Sequence, residues 1–264
     1  MVKIQIVSDI HLEFRGENFQ KLIKPSAPIL FLLGDICVCG TDSDFEVYKK
    51  FIKFLAPQYK YIFHVPGNHE YYTAGSKNII KDTIQSIDVK IRKYTKQFNN
   101  VYFMNNDTIR FEIDGCSYVF VGTALWTMVS PENRKMIGSR MNDYSHIYFL
   151  DKLQIRKFTV NDMSAIHEKS VRYVKKIMKT IKSGEIALLL THHKPILDNS
   201  KDEFHQAYES DLANIIIKYP FKLAAHGHTH VRYDKVINNV RVVSNPKGYV
   251  SQKTKFDDSF VVDI

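Results

Sequence analysis

Five short apolar segments of this chain are each followed by His, Asp or Asn, and this pattern restricts the fold more than any other feature. The apolar segments are Lys3–Val7, Ile29–Leu33, Tyr61–Val65, Ile186–Leu190 and Leu223–Ala225. The polar residues that follow them are Asp9 and His11, Asp35, Asn68 and His69, His192, and His228 and His230. Short apolar runs of this kind predict buried strands. Because the carboxyl ends of parallel strands meet at one edge of a sheet, we expect an α/β fold that brings these polar side chains together.

Amphipathic stretches between these strands complete the α/β pattern. Apolar residues at helical spacing predict helices over 43–57, 76–97, 160–182 and 205–217. Further strands are predicted at Ile109–Ile113 and Tyr118–Val121, which Asp114-Gly115 joins as a hairpin, and at Tyr233–Ile237, Val240–Val243 and Ser259–Val262. Residues 123–159 have no clean period and predict an irregular insertion or lid. We therefore expect a single domain over residues 1–264 with this insertion.

The composition indicates a globular protein of the cell interior. Apolar residues make up 44% and charged residues 25% of the 264 residues, which is ordinary for a packed domain. The sequence has no apolar run long enough to span a membrane, and its first residues lack the features of a secretion signal. Its three cysteines do not form a disulfide framework. We expect a cytoplasmic protein that does not associate with membranes.

The net charge of +9 has two interpretations. The lysines are scattered over most of the sequence, which favours an ordinary solvated surface. The alternative is a basic face that binds nucleic acid or another polyanion. Under either interpretation, positive charge favours the approach of a phosphorylated substrate.

The polar residues after the strands have the chemistry of metal ligands. Asp, Asn and His are hard or borderline donors that suit manganese, zinc or iron. Seven such donors are too many for one tetrahedral ion but suit two ions that share a carboxylate. Spacing by one residue, as in Asp9 and His11 or His228 and His230, places both side chains on one face of an extended segment. The sequence therefore predicts a site for two ions.

Together, the segments DIH, GD, GNHE, HH and GHTH resemble the calcineurin-like metallophosphoesterase superfamily. The matching positions run from Asp9 to His230 and cover most of the chain. The resemblance implies an α-β-β-α sandwich of two packed mixed β-sheets flanked by helices, with a dinuclear metal site at the carboxyl edge of the strands. The Ser/Thr protein phosphatase branch is disfavoured, because residues 36–39 lack the acid and the Arg that follow GD in that branch.

The resemblance also implies a role for each polar residue. Asp9, His11 and His230 would hold the first ion, Asn68, His192 and His228 the second, and Asp35 would bridge both. His69 would contact the phosphate and assist the leaving group, so His69, Asn68 and Asp35 are the catalytic candidates. The expected cofactor is a pair of divalent or mixed-valence metal ions, with manganese first and iron, zinc, nickel and cobalt as alternatives.

These roles predict a phosphoester hydrolase in which a hydroxide shared by two metal ions attacks phosphorus. Trp126, Arg134 and Arg140 favour a phosphodiester or nucleotide substrate, since they could grip a base or ribose. The candidate substrate contacts are His193, Arg140, Asn142 and Tyr144. A phosphomonoesterase is the alternative, followed by a nuclease and a non-catalytic metal-bound scaffold. The expected partner is a phosphorylated small molecule or nucleotide, with nucleic acid as an alternative; the sequence leaves the oligomeric state open.

Three further groups each have two interpretations. Glu70 either orients a neighbouring ligand or caps the next helix. Cys37 and Cys39 are either redox-active or small buried fillers, and we favour the second. The turn that contains Lys247 and Tyr249 either lines the site or only reverses the chain.

Overall fold

The computed structural model describes residues 1–73, 81–197, 203–219 and 221–264. The strands in these ranges are β1 Lys3–Val7, β2 Ile29–Leu33, β3 Tyr61–Val65, β4 Val101–Phe103, β5 Asp107–Ile113, β6 Cys116–Thr123, β7 Tyr148–Asp151, β8 Gln154–Lys157, β9 Ile186–Thr191, β10 Phe221–His226, β11 Tyr233–Ile237, β12 Val240–Ser244 and β13 Val261–Asp263. The α-helices are α1 Asp42–Leu55, α2 Ile84–Thr95, α3 Arg134–Arg140, α4 Asp143–His146, α5 Val160–Met178, α6 His205–Tyr208 and α7 Ala213–Lys218.

The strands form two large mixed sheets and one small hairpin. The first sheet has the order β13-β1-β2-β3-β4, and the second has the order β11-β12-β10-β9-β6-β5. In the first sheet β1, β2, β3 and β4 are parallel, and in the second β12, β10, β9 and β6 are parallel. The polar residues singled out in the sequence therefore follow strands whose carboxyl ends share an edge within each sheet.

Apolar side chains from the two sheets pack against each other to form the central core. Phe31 and Phe63 of the first sheet contact Phe120 of the second, with ring centroids 6.1 and 4.2 Å away respectively. The outer face of the first sheet is covered by α1 and α2, and that of the second by α5 and α7. Buried side chains on both faces explain why these strands are almost continuously apolar. The expected α-β-β-α sandwich is confirmed.

The helix boundaries follow local capping. Thr41 caps α1 by accepting a hydrogen bond from Asp44 N, and α1 ends at Leu55, where a 3-10 turn that contains Pro57 begins. The helix predicted over 76–97 falls partly outside the described residues, and its described part begins only at Ile84. Thr83 and Ser86 form a capping box that starts the helix at that point. No helix in the described residues is long and apolar enough to cross a membrane.

The single helix predicted over 205–217 is wrong. The segment forms two short helices, α6 and α7, separated by an extended stretch. Glu209 in that stretch pairs with Lys194, and Ser210 N donates to Lys194 O at 2.8 Å. These contacts with the chain after β9 outweigh the local helical pattern, so the helix is interrupted.

The region 123–159 is more regular than its sequence indicates. It contains α3, α4 and the antiparallel β7–β8 hairpin, in which Tyr148 lies opposite Lys157. The short strand β4 was also not predicted. It has only three residues and is defined by its pairing with β3, so its own sequence carries little signal.

Candidate metal centre

Both sheets contribute loops to a single cluster of polar side chains. Ser8, directly after β1, pairs with Pro246, two residues after β12, which joins the carboxyl edges of the two sheets. The loops after β1, β2, β3, β9 and β10 converge beside this junction. The predicted ligands are therefore brought together from five separate parts of the chain.

Strained backbone accompanies this convergence. Five of the seven predicted ligands have positive φ angles, between 52° and 68°: Asp9, His11, Asp35, His228 and His230. Residues other than glycine adopt this conformation rarely, at a cost of about 1–3 kcal/mol each, and persist in it mainly at functional sites. The backbone thus indicates that the positions of these side chains matter more than local stability.

The first group of donor atoms surrounds His230. His230 Nε2 lies 3.2 Å from His11 Nε2 and 3.4 Å from Asp9 Oδ1. His11 Nε2 in turn lies 3.9 Å from Asp35 Oδ2. These atoms and their residues form one of the groups in the described chain that are close enough to hold an ion.

The second group of donor atoms surrounds His192. Its Nε2 lies 3.1 Å from His228 Nδ1, 3.2 Å from Asn68 Oδ1 and 3.4 Å from Asp35 Oδ1. Asp35 therefore faces the first group with one carboxylate oxygen and the second group with the other. This is the arrangement expected of a carboxylate that bridges two ions.

The donor set fits metal ions better than it fits hydrogen bonds alone. A single proton can serve only one pair of facing nitrogens, whereas an ion with bonds of about 2.0–2.1 Å holds nitrogen ligands about 3 Å apart. The outer ring nitrogens are already engaged: His11 Nδ1 with Glu13 Oε1, His192 Nδ1 with Leu33 O and His230 Nδ1 with Gln252 Oε1. Such outer contacts fix the tautomer of a ligating His and leave its inner nitrogen free. The residues present therefore suit two metal ions.

Gly34 makes room for this cluster. Its φ is +81°, and an added Cβ would lie 2.3 Å from His192 Nδ1 and 2.6 Å from Gly67 N. Only glycine combines this backbone angle with such close neighbours. The loop after β2 can thus approach His192 closely enough to deliver Asp35.

The Glu70 side chain fixes the backbone of the same loop after β2. Its carboxylate accepts hydrogen bonds from the backbone N–H groups of Asp35 at 2.9 Å, Ile36 at 2.8 Å and Gly67 at 2.6 Å. Glu70 therefore orients the loop that carries the candidate ligand Asp35, which is the first of its two predicted roles.

A pair of polar residues orients Asn68. Asp143 Oδ1 accepts hydrogen bonds from Asn68 Nδ2 at 2.8 Å and from Tyr72 Oη at 2.7 Å. Because Asp143 takes the amide nitrogen, the amide oxygen of Asn68 faces His192. Asp143 therefore lies behind a candidate ligand.

Glu13 is a functional candidate that sequence reasoning missed. Its side chain is 8% exposed, and Oε1 lies 3.1 Å from His11 Nδ1 and 2.9 Å from His69 Nδ1. Its only signal in the sequence is a carboxylate two residues after a predicted ligand. Glu13 thus aligns one candidate ligand and the candidate catalytic His at once.

The other side of His69 faces Tyr249. His69 Nε2 lies 3.2 Å from Tyr249 Oη, and the Tyr249 ring lies 4.6 Å from the His11 ring between centroids. The turn after β12 therefore lines the site, which resolves the two interpretations of that segment for Tyr249.

Charges in the cluster shift the pKa values of its members. Burial alone would raise the pKa of Asp35, but the positive charges of His192 and His69 outweigh it and hold the pKa well below its ordinary value. Burial would lower the pKa of His69 and of His192, yet the charge of Asp35 is the main influence that raises both to about 9. For Glu13, burial is outweighed by hydrogen bonds from His11 and His69, so its pKa falls to about 2. In the metal-free protein the cluster therefore carries positive charge on its imidazoles, and a metal ion bound by His192 would displace the proton of that ring.

The candidate substrate contacts divide into two pairs. Arg140 and Asn142 line a cavity of about 530 Å³ that opens over Asp35, Asn68 and His228; we call it the first cavity. His193 and Tyr144 do not line it. His193 is fully buried, packs between Trp126 and His228, and has a pKa lowered to about 3 by burial and by the charge of His192. Tyr144 stacks on Phe158 in a different depression.

The expected grip of Trp126 and Arg134 on a base is wrong. Trp126 is 1% exposed and packs against Tyr71 and Phe158, because its large apolar ring is more stable in the core. Arg134 lines the depression beside Tyr144, where it donates to Val129 O and Asn161 Oδ1. Of the three residues, only Arg140 borders the candidate metal centre.

The two cysteines near Asp35 are buried fillers. Cys37 and Cys39 are 0% exposed, and burial raises the pKa of both thiols well above the ordinary value. A thiol that stays protonated is a poor nucleophile and a poor soft-metal ligand.

A second cavity borders the centre on another side. It has a volume of about 830 Å³ and is lined by Glu13, Phe14, Val38 and Val250, among others. The two cavities share four lining residues: His69, Tyr72, Asn142 and Tyr249. The candidate centre thus has space on both sides of His69.

Two packed mixed sheets with Asp, Asn and His donors at their common edge define the metal-dependent phosphoesterase class. The chain belongs to the calcineurin-like phosphoesterase family, whose model matches residues 2–232. The matched range includes every predicted ligand.

The chain is also similar to individual proteins. Uncharacterized protein L509 of Acanthamoeba polyphaga mimivirus is 29% identical over 283 residues, which cover 99% of this chain and 96% of that protein. The structure of phosphopantetheinyl hydrolase (PptH) from Mycobacterium tuberculosis superposes with a TM-score of 0.73 at 17% identity, over 94% of this chain and 89% of that one. GAP50, described as the anchor in the inner membrane complex of Plasmodium, gives a TM-score of 0.56 at 13% identity, over 96% and 74%. At these identities the two structures show a shared fold.

Proposed function

We propose that this protein hydrolyses phosphodiesters with the help of two metal ions. The observation that carries the proposal is the position of Asp35, whose two oxygens face two separate groups of donor atoms, at 3.9 and 3.4 Å from His11 and His192. Membership of a phosphoesterase family supports phosphoester hydrolysis in general. The ligand set we propose is the one expected from the sequence: Asp9, His11 and His230 for one ion, Asn68, His192 and His228 for the other, and Asp35 for both.

Two bound ions would supply Lewis acidity and a water molecule ionised near neutral pH. The remaining work falls to side chains of the chain itself. His69 is held by Glu13 on its Nδ1 side, so its Nε2 points to the shared border of the two cavities. An imidazolium in that position can donate a proton to the departing oxygen of the ester. The contact with Glu13 favours the protonated form of this imidazole.

The two cavities support a diester over a monoester. A phosphodiester carries two organic groups on phosphorus, and the centre has separate spaces of about 530 and 830 Å³ beside His69. Arg140 and Asn142 offer polar contacts in the first space, and Phe14 and Val250 offer apolar contacts in the second. A monoester carries only one organic group and would leave one of these spaces without a substituent. Phosphomonoesterase activity is therefore the second candidate.

A substrate comparison tests the proposal. The protein, treated with manganese, is assayed with bis-p-nitrophenyl phosphate and with p-nitrophenyl phosphate, and a metal-free sample is the control. We expect metal-dependent turnover and a higher kcat/KM for the diester. A higher kcat/KM for the monoester would favour a phosphatase. If neither compound is hydrolysed with manganese, iron, zinc, nickel or cobalt, the result would support a non-catalytic scaffold.

A further inference from the structure

A basic cavity lies next to the candidate metal centre. It has a volume of about 310 Å³ and is formed by the turn after β12 and by Arg15. Four cationic side chains line it: Arg15, Lys247, Lys253 and Lys255. The described residues that line it include no carboxylate.

In the described part of the chain the four cations lack close carboxylate partners, although the charges of Glu13 and Asp258 act on Arg15 and Lys247 from farther away. In the described ranges, no carboxylate oxygen lies within 4.0 Å of the charged nitrogens of these four residues, although many other cations of the chain have such a partner. The pKa of Lys247 lies below its ordinary value, because burial and the nearby charge of Arg15 disfavour its ammonium form and outweigh the opposing charge of Asp258. Like charges gathered around a cavity repel one another, and an anion in the cavity would relieve that repulsion.

The basic cavity is built rather than formed by flexible surface side chains alone. Arg15 donates from Nε to Ile10 O at 2.7 Å and also to Gly248 O, which fixes its guanidinium between two loops. The Lys247 ammonium lies 4.3 Å from the centroid of the Phe256 ring, and Thr254 Oγ1 donates to Lys247 O at 3.1 Å. Two of the four cations are therefore held in place by the fold.

The position of the basic cavity relates it to the reaction. Lys247 N donates to Ser8 O at 3.0 Å and Gly248 N donates to Asp9 O at 2.9 Å, so its wall is bonded to the loop that presents Asp9 and His11. Gln252 lines this cavity and also the first cavity, and its Oε1 lies 2.6 Å from His230 Nδ1. Tyr249 lines all three cavities. The basic cavity therefore adjoins the first cavity, with Tyr249 and Gln252 in the walls of both.

We infer that the basic cavity binds a second phosphate group of the substrate, next to the phosphodiester that is hydrolysed. Charged hydrogen bonds from Lys and Arg suit a phosphate dianion or diester anion. This inference rests on the proposed function and specifies its substrate class as a diester with a further phosphate on one substituent. The second phosphate is either the terminal phosphate of a small nucleotide or an internal phosphate of an oligonucleotide.

A matched pair of chromogenic substrates tests the inference. Thymidine 5′-(p-nitrophenyl phosphate) and the same compound with a 3′-phosphate differ only in the second phosphate. For the wild-type protein we expect kcat/KM to be about tenfold higher for the 3′-phosphorylated compound, as charged contacts of this kind allow. In the double variant Lys247→Gln/Lys253→Gln that ratio should fall towards one. The variant Lys176→Gln, an exposed lysine on α5, should keep the wild-type ratio.

An equal ratio in the wild type and the double variant would overturn the inference, and so would a wild-type ratio of one or below. A short thymidine oligonucleotide distinguishes the two sources of the phosphate. If internal phosphates occupy the basic cavity, the oligonucleotide is cleaved with a preference that the double variant loses. If a terminal phosphate occupies it, only the 3′-phosphorylated nucleotide shows that preference.

Calorimetric titration separates this inference from the proposed function. Thymidine 3′,5′-bisphosphate should bind the wild-type protein more tightly than thymidine 5′-phosphate, and the double variant should lose the difference. If bis-p-nitrophenyl phosphate is hydrolysed but this binding preference is absent, the phosphate-binding role of the basic cavity is refuted and the proposed function is not. The binding preference without hydrolysis of any diester refutes the proposed function and leaves the basic cavity as an anion site.

Discussion

At the scale of single residues, Asp35 connects both halves of the candidate centre. Its side chain is 3% exposed and lies between His11 and His192, while its backbone N–H is held by Glu70. Its pKa is held well below the ordinary value, although burial opposes this, because of the charges of His192 and His69. Loss of this negative charge should therefore weaken the binding of both ions.

The variant Asp35→Asn tests that dependence. Because the amide has one neutral oxygen in place of a bridging carboxylate, we expect both ions to be lost at metal concentrations that saturate the wild-type protein. Metal content measured by mass spectrometry after gel filtration checks this. Asp88→Asn is the matched control, since Asp88 is a partly buried carboxylate bonded to Tyr71 and Asn105 away from the centre. Two ions retained by Asp35→Asn would contradict the bridging role.

His69 has a different expected signature. His69→Ala should keep both ions, because none of the proposed ligand atoms belongs to it. Turnover should fall by about 10²–10⁴-fold, as is usual when a general acid is removed. The loss should be larger for a diester with a phenol leaving group than for one with p-nitrophenol, since the poorer leaving group needs the proton more. Wild-type turnover in this variant would exclude the catalytic role.

Glu13 gives a prediction about pH in the metal-free protein. Its pKa falls from 4.5 to about 2 in the folded state, because hydrogen bonds from His11 and His69 outweigh burial. Since the folded-state pKa is depressed, its stabilising contribution is present above pH 4.5 and is lost as the pH falls towards 2. Glu13→Gln should thus lower the free energy of unfolding at pH 7 by up to about 3 kcal/mol, and the difference should shrink below pH 4.5.

Urea unfolding of both proteins with a chelator present, from pH 3 to pH 8, measures this difference. Glu17→Gln is the control, because Glu17 pairs with Lys50 on the exposed surface and should change the stability little. A Glu13→Gln difference that does not vary with pH would show that the effect is not due to the charge of Glu13.

Individual residues differed in how well the sequence predicted them. The seven proposed ligands and His69 could be selected because each follows an apolar strand in a short polar segment. Glu13 could not, because its role depends on Nδ1 atoms from two loops that meet only in the fold. The predicted contact of Trp126 with the substrate was wrong. An aromatic residue in an irregular segment has the same sequence pattern whether it lines a site or fills the core.

At the scale of elements, loops after parallel strands hold the centre, and helices hold those strands. The strands were predictable because they are short, apolar and buried on both faces. The interruption between α6 and α7 was not, because it depends on pairing between Lys194 and Glu209. Contacts between distant segments thus account for the elements that sequence patterns missed.

The loop after β2 gives a prediction at this scale. Gly34 and Gly184 have similar positive φ angles, +81° and +86°, but only Gly34 has neighbours within 4 Å of an added Cβ. Gly184→Ala should cost about 1–2 kcal/mol of stability from backbone strain alone and leave metal affinity unchanged. Gly34→Ala should in addition displace His192 and weaken metal binding by about tenfold or more. Equal metal affinity in the two variants would contradict the close packing proposed around His192.

At the scale of the whole molecule, the two sheets bring together residues as far apart in sequence as Asp9 and His230. The contacts between Phe31, Phe63 and Phe120 fix the sheets against each other, and the pairing of Ser8 with Pro246 aligns their edges. The sandwich could be predicted because the motifs resemble those of a known family. The three cavities could not, since their walls come from segments whose sequences show no regular pattern.

Metal stoichiometry of catalysis tests the central claim most directly. The metal-free protein is titrated with manganese, and hydrolysis of bis-p-nitrophenyl phosphate is plotted against the number of ions bound per chain. If two ions share Asp35, activity should stay low after the first equivalent and reach its maximum at two. Full activity at one bound ion, or activity that persists in the metal-free protein, would contradict a dinuclear phosphodiesterase.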